Sequence, residues 1–277
     1  MNCNAVEKHI INWLTDQIKQ TKLDCFVVGI SGGVDSALVS TLCAKTNFKT
    51  ILISLPIFQE ASQLTRARSH MSWLTTTFSN TKECEVVLDY TFEAISKGFS
   101  KEVSDDPLAM ANTRSRLRMT TLYAYANHYK GLVVGTGNKI EDFGVFFFTK
   151  GGDGMVDISP TGDLSKSQVW ELAKHIGVNN DIVQAKPTDG LWEDNRGDED
   201  AIGASYPELE WAMAYCESNS YTKEYLEQKS NQCLSCLAYV GLSKREEQVL
   251  EIYLKRNIQG QHKIKPIPIC KIPQIIL

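Results

Sequence analysis

Apolar runs of strand length alternate along the chain with segments whose apolar residues recur every three to four positions. Strands alternating with helices predict βαβ units and an α/β fold: a mainly parallel, doubly wound, Rossmann-like sheet flanked by helices. Ligands bind beyond the carboxyl ends of the strands in such sheets, so the loops at Ser31, Pro56 and Gly135 are expected to face one site. The predicted strands cover 24–30, 50–55, 85–90 and 132–134, and the predicted helices cover 6–18, 36–45, 62–78 and 107–129.

The pattern changes beyond residue 150. Residues 186–204 show no periodicity and are rich in Asp, Glu and Gly, which favours a mobile lid. Prolines interrupt residues 260–277, which are expected to form an irregular tail. Nothing requires a second domain, so residues 1–277 are expected to fold as one. Three further helices are predicted: one after 163–165, one from Pro207, and one from the capping box at Ser243 through Lys255.

Composition narrows the class of partner. The 277 residues carry a net charge of −4 with a pI near 5.8, which argues against a nucleic-acid partner. No apolar run approaches the roughly 18 residues of a membrane span, so no membrane partner is expected. The N-terminus resembles no targeting signal and the eight cysteines are scattered, which favours a cytoplasmic location. Cys233 and Cys236 form the only C-x-x-C pair, which is weak support for zinc or redox chemistry.

One stretch carries a recognisable chemistry, because the strand over 24–30 runs into a loop with adjacent glycines and then into a helix. The glycines permit positive φ, and bare N–H groups with a helix N-terminus suit a phosphate. Two serines add hydroxyl donors, and an aspartate could hold a metal beside the phosphate. The Walker A pattern is absent, and an ordinary strand-to-helix turn is the structural alternative. The loop consists of Ser31, Gly32, Gly33, Val34, Asp35 and Ser36.

This loop resembles the pyrophosphate loop of the ATP pyrophosphatase superfamily, whose members cleave ATP between the α and β phosphates. Downstream blocks narrow the resemblance, and the chain looks like an ammonia-dependent NAD synthetase from about residue 6 to residue 265. The blocks occur in the family's order: GTGNKIED at 135–142, FFTK at 147–150, GDG at 152–154, DLSK at 163–166, PTDGLW at 187–192, DED at 198–200 and HK at 262–263.

The resemblance implies a two-step amidation. The carboxylate of deamido-NAD attacks the α phosphate of ATP, giving an adenylate and pyrophosphate, and ammonia then displaces AMP. The family pattern also implies a homodimer with the substrate at its interface. The motif set already occupies the chain, which leaves no room for a glutaminase domain, so free ammonia is the expected nitrogen donor.

The family's functional positions carry over residue by residue. The catalytic residues are expected to be Asp35, Lys166 and Asp153. ATP and pyrophosphate are expected to contact the Ser31–Ser36 loop with Gln59, Arg118, Thr136, Lys166 and Thr188. Deamido-NAD is expected to contact Asn112, Arg116, Lys150, Asp153, His262 and Lys263.

Magnesium is the expected cofactor, with ATP as co-substrate. The implied ligands are Asp35, Thr188 and an acidic residue after the Gly135 loop. One extra residue separates that loop from Phe147, so Glu141 and Asp142 compete for the role. Spacing from the loop favours Glu141, whereas spacing from the following Thr-Lys pair favours Asp142.

The chain also departs from the family at two positions. Ser54 stands where the family often has an arginine, and Gly151 stands where it has an aromatic residue. Two other functions stay open: an adenylating amidase or thiolase of the same superfamily with another substrate, such as a tRNA base, and a catalytically silent nucleotide-binding module.

Overall fold

The computed structural model describes residues 1–188, 190–192, 196–219 and 241–273, so Cys233 and Cys236 lie outside the described residues. Four strands form one parallel sheet in the order β3-β2-β1-β4. Three of them have nearly continuous apolar runs, because helices cover both faces of the sheet. The strands are β1 (Cys25–Gly29), β2 (Lys49–Ser54), β3 (Thr81–Glu85) and β4 (Gly131–Val134).

Helices supply the layers around this sheet. In chain order they are α1 (Cys3–Thr21), α2 (Val34–Lys45), α3 (Ala61–Thr77), α4 (Asp89–Gly98), α5 (Lys101–Ser104), α6 (Pro107–Tyr129), α7 (Lys166–His175), α8 (Asn180–Val183), α9 (Asp198–Ile202), α10 (Tyr206–Ser218) and α11 (Lys244–Gly260). A π-turn covers Ile140–Gly144, and a short 3₁₀ turn covers Gln261–Lys263.

The two faces of the sheet bury different clusters. Phe26 and Val28 of β1 point towards α1, α2 and α7, whereas Val27 of β1 and Ile51 of β2 point towards α4 and α6. This alternation along β1 is the two-residue period of a strand. The predicted α/β fold with a doubly wound, mainly parallel sheet is therefore confirmed.

A third apolar cluster lies beside the sheet. It joins α10, α11 and the π-turn, with Tyr206, Leu209, Leu250 and Leu254 almost completely buried. Ser205 and Ser243 cap the two helices with the serine–glutamate boxes visible in the sequence. The single-domain organisation stays a prediction.

Some predicted elements were wrong. Residues 85–90 do not form a strand: β3 ends at Glu85, and α4 begins at Asp89. As the edge strand, β3 is only partly buried and carries polar residues, so the apolar signal came from the turn after it, where Leu88 enters the core. Residues 198–202 form α9, which is too short to show a helical period. The last helix continues five residues past its predicted end at Lys255.

The strand order places a topological switch between β1 and β4. The chain leaves β1 towards β2, whereas β4 returns on the other side of β1. In register, Val28 lies beside Leu52 and Val134, so the three strands end at one edge. Loops that leave a switch point diverge and open a crevice.

Candidate active site

A cavity of about 840 Å³ occupies this crevice. Its lining comes from the loops after β1, β2 and β4, one face of α6, the start of α7, described residues between 185 and 201, and the residues just after α11. The predicted site residues all line it, although their roles stay predictions. They are Ser31, Gly32, Gly33, Val34, Asp35, Ser36, Gln59, Asn112, Arg116, Arg118, Thr136, Glu141, Asp142, Lys150, Asp153, Lys166, Thr188, His262 and Lys263.

The loop after β1 is closed by its own serines. Ser36 Oγ accepts from the Ser31 amide at 3.2 Å, and the two hydroxyls lie 3.0 Å apart. Gly32 has a φ of +85°, and a Cβ there would overlap the Gln63 carbonyl of α3, so only glycine fits. The Val34 side chain points into the core. Val34 therefore offers the cavity mainly its backbone.

Lys166 is the charge centre of the cavity. It is the first residue of α7 and is 2% exposed. Its Nζ lies 2.7 Å from Asp35 Oδ2 and 3.1 Å from Glu141 Oε1. Burial lowers the pKa of the amine, but these two carboxylates more than offset this and hold its pKa above the ordinary value. Lys166 therefore carries its charge at neutral pH.

A π-turn lies where one extra residue is predicted, between the Gly135 loop and Phe147. The Val145 amide donates to the Ile140 carbonyl five positions earlier, at 2.8 Å. Single-turn π-bulges commonly accommodate one inserted residue and occur at functional sites. Glu141, the second residue of the π-turn, reaches Lys166 at 3.1 Å.

Asp142 also faces the cavity, and its carboxylate packs against Gly137. Burial is the main cause that raises its pKa, to about 8, and Glu141, Asp153 and Asp35 raise it further. In Glu141 the pKa is likewise raised mainly by burial, with Lys166 opposing this effect. Both acids therefore lie in surroundings that disfavour an uncompensated negative charge.

The arginines of α6 point in different directions. Arg118 donates to the Leu55 carbonyl at 3.0 Å and to Gln59 Oε1 at 2.8 Å, at the end of β2. Arg116 instead donates to the Lys150 carbonyl at 3.2 Å. The two side chains thus reach opposite sides of the cavity, as the helical spacing predicts.

The far end of the cavity is built on the turn 149–154. Asp153 Oδ1 accepts from the Thr149 amide at 3.0 Å and from Ser115 Oγ at 2.5 Å. Asn112 accepts from Thr149 Oγ1 at 2.7 Å. Asp153 and Asn112 therefore shape this turn as well as line the cavity.

Two lysines tie this turn to the C-terminal segment. Lys150 donates to the His262 carbonyl at 2.9 Å, and Lys263 donates to the Phe146 and Phe148 carbonyls. Burial lowers the pKa of Lys263. On the other side, Thr188 Oγ1 donates to the Arg196 carbonyl at 3.2 Å, which joins two described residues of the segment predicted to be a lid.

Sequence reasoning missed two residues that hydrogen-bond to the charged groups of the site. Asn138 is completely buried; its side-chain nitrogen donates to Asp35 at 3.2 Å and its oxygen accepts from the Glu141 amide at 3.2 Å. Tyr206 donates to Glu141 at 2.6 Å. Asn138 lies inside the recognised 135–142 block, so its position was the available signal, whereas Tyr206 lies 65 positions from its partner.

Comparison with known proteins identifies the family. The family model described as NAD synthase matches residues 6–246. This chain belongs to the NAD synthase family.

Individual relatives match over nearly their whole length. The chain is 36% identical to the NH(3)-dependent NAD(+) synthetase of Carboxydothermus hydrogenoformans, over 82% of this chain and 92% of that protein. It is 29% identical to the enzyme of the same name from Methanosarcina acetivorans, over 97% and 99%. Among solved structures, the NMN synthetase of Francisella tularensis superposes with a TM-score of 0.77 and 28% identity over 99% of both chains.

Proposed function

We propose that this NAD synthase family member converts deamido-NAD to NAD with ATP and ammonia, releasing AMP and pyrophosphate. The observation that carries the proposal is the charge centre, in which Lys166 lies between Asp35 of the phosphate-type loop and Glu141 of the π-turn. The family match and the names of the relatives support the same reaction.

The chain's own groups fit the first step. As the nicotinate carboxylate attacks the α phosphorus, the bond to the β,γ-pyrophosphate breaks and charge builds on the departing group. Amides of the Ser31–Ser36 loop and the N-terminus of α2 lie where they can hold that pyrophosphate. Lys166 supplies a buried positive charge beside them.

The second step needs a neutral nucleophile. Ammonia attacks the acyl carbon of the adenylate, AMP leaves with the bonding electrons, and the added nitrogen loses a proton. Asp153, with Oδ1 fixed by two donors, is the carboxylate assigned to this end of the cavity. Lys150 and His262 join it from the turn and the C-terminal segment, beside Asn112, Arg116 and Lys263.

Magnesium fits the donor set. Asp35, Glu141, Asp142 and Thr188 present oxygen ligands to one cavity, and oxygen is what this ion prefers. Within the described part of the chain, no three acidic, histidine or cysteine side chains form a ready-made metal cluster. Magnesium uses one or two carboxylates with substrate phosphates and water. Bound there, it would neutralise charge on the phosphates.

Glu141 is the better candidate ligand of the two competing acids. It shares Lys166 with Asp35, and its spacing from the Gly135 loop is the one that the family resemblance favours. Asp142 lies against Gly137 and has no hydrogen bond from the Lys166 ammonium.

A homodimer and a cytoplasmic location belong to the same proposal. Large apolar side chains are exposed around α4, α5 and α6, including Tyr90 and Leu108, which supports a protein partner on that face. The six described cysteines are free thiols, which supports a reducing compartment. No described helix is long and apolar enough to cross a membrane.

The decisive experiment identifies the products. The purified chain, given ATP, magnesium, ammonium and deamido-NAD, should form NAD, AMP and pyrophosphate in equal amounts. Formation of ADP and phosphate would contradict the proposal, as would efficient turnover with glutamine in place of ammonium.

A mononucleotide acceptor is the second candidate, favoured by the likeness to the Francisella tularensis NMN synthetase. Nicotinate mononucleotide carries the same reacting carboxylate without the second nucleotide. Comparison of kcat/KM for the two acids decides between them, and a higher value for the mononucleotide would replace the proposed substrate. Strong, salt-dependent tRNA binding would instead revive a tRNA-modifying function.

A further inference from the structure

Tyr206 is the largest completely buried side chain near the charge centre. It is the first residue of α10, and several hydrogen bonds fix its position there. Ser205 caps the helix with Glu208, and the Tyr206 amide donates to Glu199 Oε1 at 2.9 Å. Arg245 of α11 clamps Glu208 at 2.7 Å and 2.9 Å. The phenol therefore reaches Glu141 from a rigid helix start, behind the lining of the cavity.

The hydroxyl of Tyr206 reaches two carboxylates. It lies 2.6 Å from Glu141 Oε1 and 3.3 Å from Asp198 Oδ2. A phenol carries one proton and can donate to only one acceptor at a time. The shorter distance assigns that donation to Glu141, because charge-assisted hydrogen bonds of this kind are short.

The ring of Tyr206 also contacts Lys166, the positively charged residue of the charge centre. Lys166 Nζ lies 4.7 Å from the ring centroid, within the range of a cation–π interaction. Trp170 packs edge-on against the same ring, with centroids 6.1 Å apart. One side chain thus contacts both the ammonium and the carboxylate that binds it.

The two donors meet on a single oxygen of Glu141. Tyr206 and Lys166 both bind Oε1, while no hydrogen bond from the described residues reaches Oε2. We propose that Tyr206 is a positioning residue that fixes Glu141 through Oε1 and leaves Oε2 available to a magnesium ion bound with the nucleotide. This inference rests on the proposed function, and it assigns Tyr206 a role in metal-dependent nucleotide binding rather than in the chemical step.

The chain offers a matched control for the hydroxyl. Tyr253 of α11 belongs to the same apolar cluster as Tyr206 and is 4% exposed, and neither tyrosine lines the cavity. Tyr206→Phe and Tyr253→Phe remove the same atom from the same cluster. Only Y206F removes a donor from Glu141.

The test measures magnesium directly as well as turnover. Calorimetry follows binding of a non-hydrolysable ATP analogue, α,β-methylene ATP, across a series of magnesium concentrations. Y206F should need about tenfold more magnesium for half-maximal analogue binding, the scale of one lost hydrogen bond to a charged group. Saturating magnesium should restore binding, the KM for deamido-NAD should stay within about twofold, and Y253F should match the wild type.

The other possible outcomes contradict either the positioning role or the proposed function. An unchanged magnesium requirement in folded Y206F, or an equal rise in Y253F, would overturn the positioning role. If the wild type neither binds the analogue with magnesium nor forms NAD, the proposed function itself fails.

A second pair of variants tests the proposal if Y206F does not fold. Glu141→Gln removes the buried negative charge that the hydroxyl stabilises, so the double variant E141Q/Y206F has no unpaired carboxylate at position 141. Its magnesium requirement should equal that of E141Q alone. A further tenfold rise would show that Tyr206 acts through another group, and the inference would be wrong.

Discussion

At the scale of single residues, the buried lysine is the feature with the largest energetic consequence. Lys166 offsets two carboxylates that are themselves less than 20% exposed. Removing one partner of such a group leaves uncompensated buried charge, so Lys166→Met should lower the free energy of unfolding by about 3 kcal/mol at neutral pH. Urea unfolding followed by circular dichroism measures this, and NAD formation should fall by orders of magnitude.

A surface lysine provides the control for that substitution. Lys101 pairs with Asp105 at 2.6 Å, but its side chain is 87% exposed. Exposed ion pairs contribute little, so Lys101→Met should change stability by less than about 0.5 kcal/mol. Equal losses in the two variants would contradict the charge-centre interpretation.

His70 makes stability depend on pH. The ring is 2% exposed, and its Nε2 lies 2.9 Å from Ser40 Oγ, one helical turn after the phosphate-type loop. Burial lowers the pKa of His70 to about 4. The unfolded state, with an ordinary histidine pKa near 6.5, therefore binds more protons between these values, and stability falls as the pH drops through that window.

Replacing this histidine should make the free energy of unfolding depend less on pH below about pH 6.5. The wild-type stability supplied by His70 is complete above about pH 6.5, and up to about 3 kcal/mol of it is lost by pH 4. His70→Gln should lose less over the same interval in urea titrations at a series of pH values. The exposed His9 supplies the control variant His9→Gln, and parallel curves for H70Q and the wild type would show that the buried ring does not titrate this way.

At the scale of elements, α6 holds the segment predicted to be a lid. Arg114 is 6% exposed, stacks over the Phe92 ring at 4.4 Å and donates to the Leu191 carbonyl at 3.1 Å. Its spacing from Arg118 predicts the same face of the helix, but the structure shows that it serves the neighbouring segment. A planar guanidinium can stack and donate together, which a lysine ammonium cannot.

Arg114→Lys should therefore loosen residues 186–192. The expected result is trypsin cleavage after Arg196 about fivefold to tenfold faster, because local opening gains population when about 1 kcal/mol of contact is lost. Mass spectrometry of the fragments measures the rate at this site. Arg116→Lys, two positions along the same helix, contacts the Lys150 carbonyl instead and should leave the rate unchanged; equal acceleration in both would contradict the assigned contact.

The same elements show how far sequence reasoning reaches. β1, β2 and β4 are predictable because burial on both faces gives continuous apolar runs, whereas the edge strand β3 has no such run. Motif spacing places every predicted site residue on one cavity. Asn138 and Tyr206 were missed because the contacts that define them join distant parts of the chain. Periodicity reports which face is buried, but not which polar atoms meet there.

At the scale of the whole molecule, the most informative surface is the side built from α4, α5 and α6. Tyr90 is 85% exposed and Leu108 is 58% exposed, and Phe58, Val87 and Val103 are exposed nearby in the chain. Leu108 also lines the cavity, so a partner covering this side would lie beside the substrate. A stable interface buries about 1,200–2,000 Å², so a second copy bound here would cover a continuous surface around these residues.

The proposed homodimer should therefore dissociate when this side becomes charged. Light scattering should give twice the chain mass for the wild type and the monomer mass for the double variant Tyr90→Glu/Leu108→Glu. The KM for deamido-NAD should also rise in the double variant, because a substrate site beside the interface loses the contacts of the second copy. Ile267, which is 83% exposed in the C-terminal segment, gives the control Ile267→Glu, which should remain dimeric. A monomeric wild type would contradict the dimer, whereas dissociation by I267E alone would place the interface at the C-terminal segment and leave Tyr90 and Leu108 without a partner. The two measurements together decide whether the apolar side of α4 to α6 completes the site.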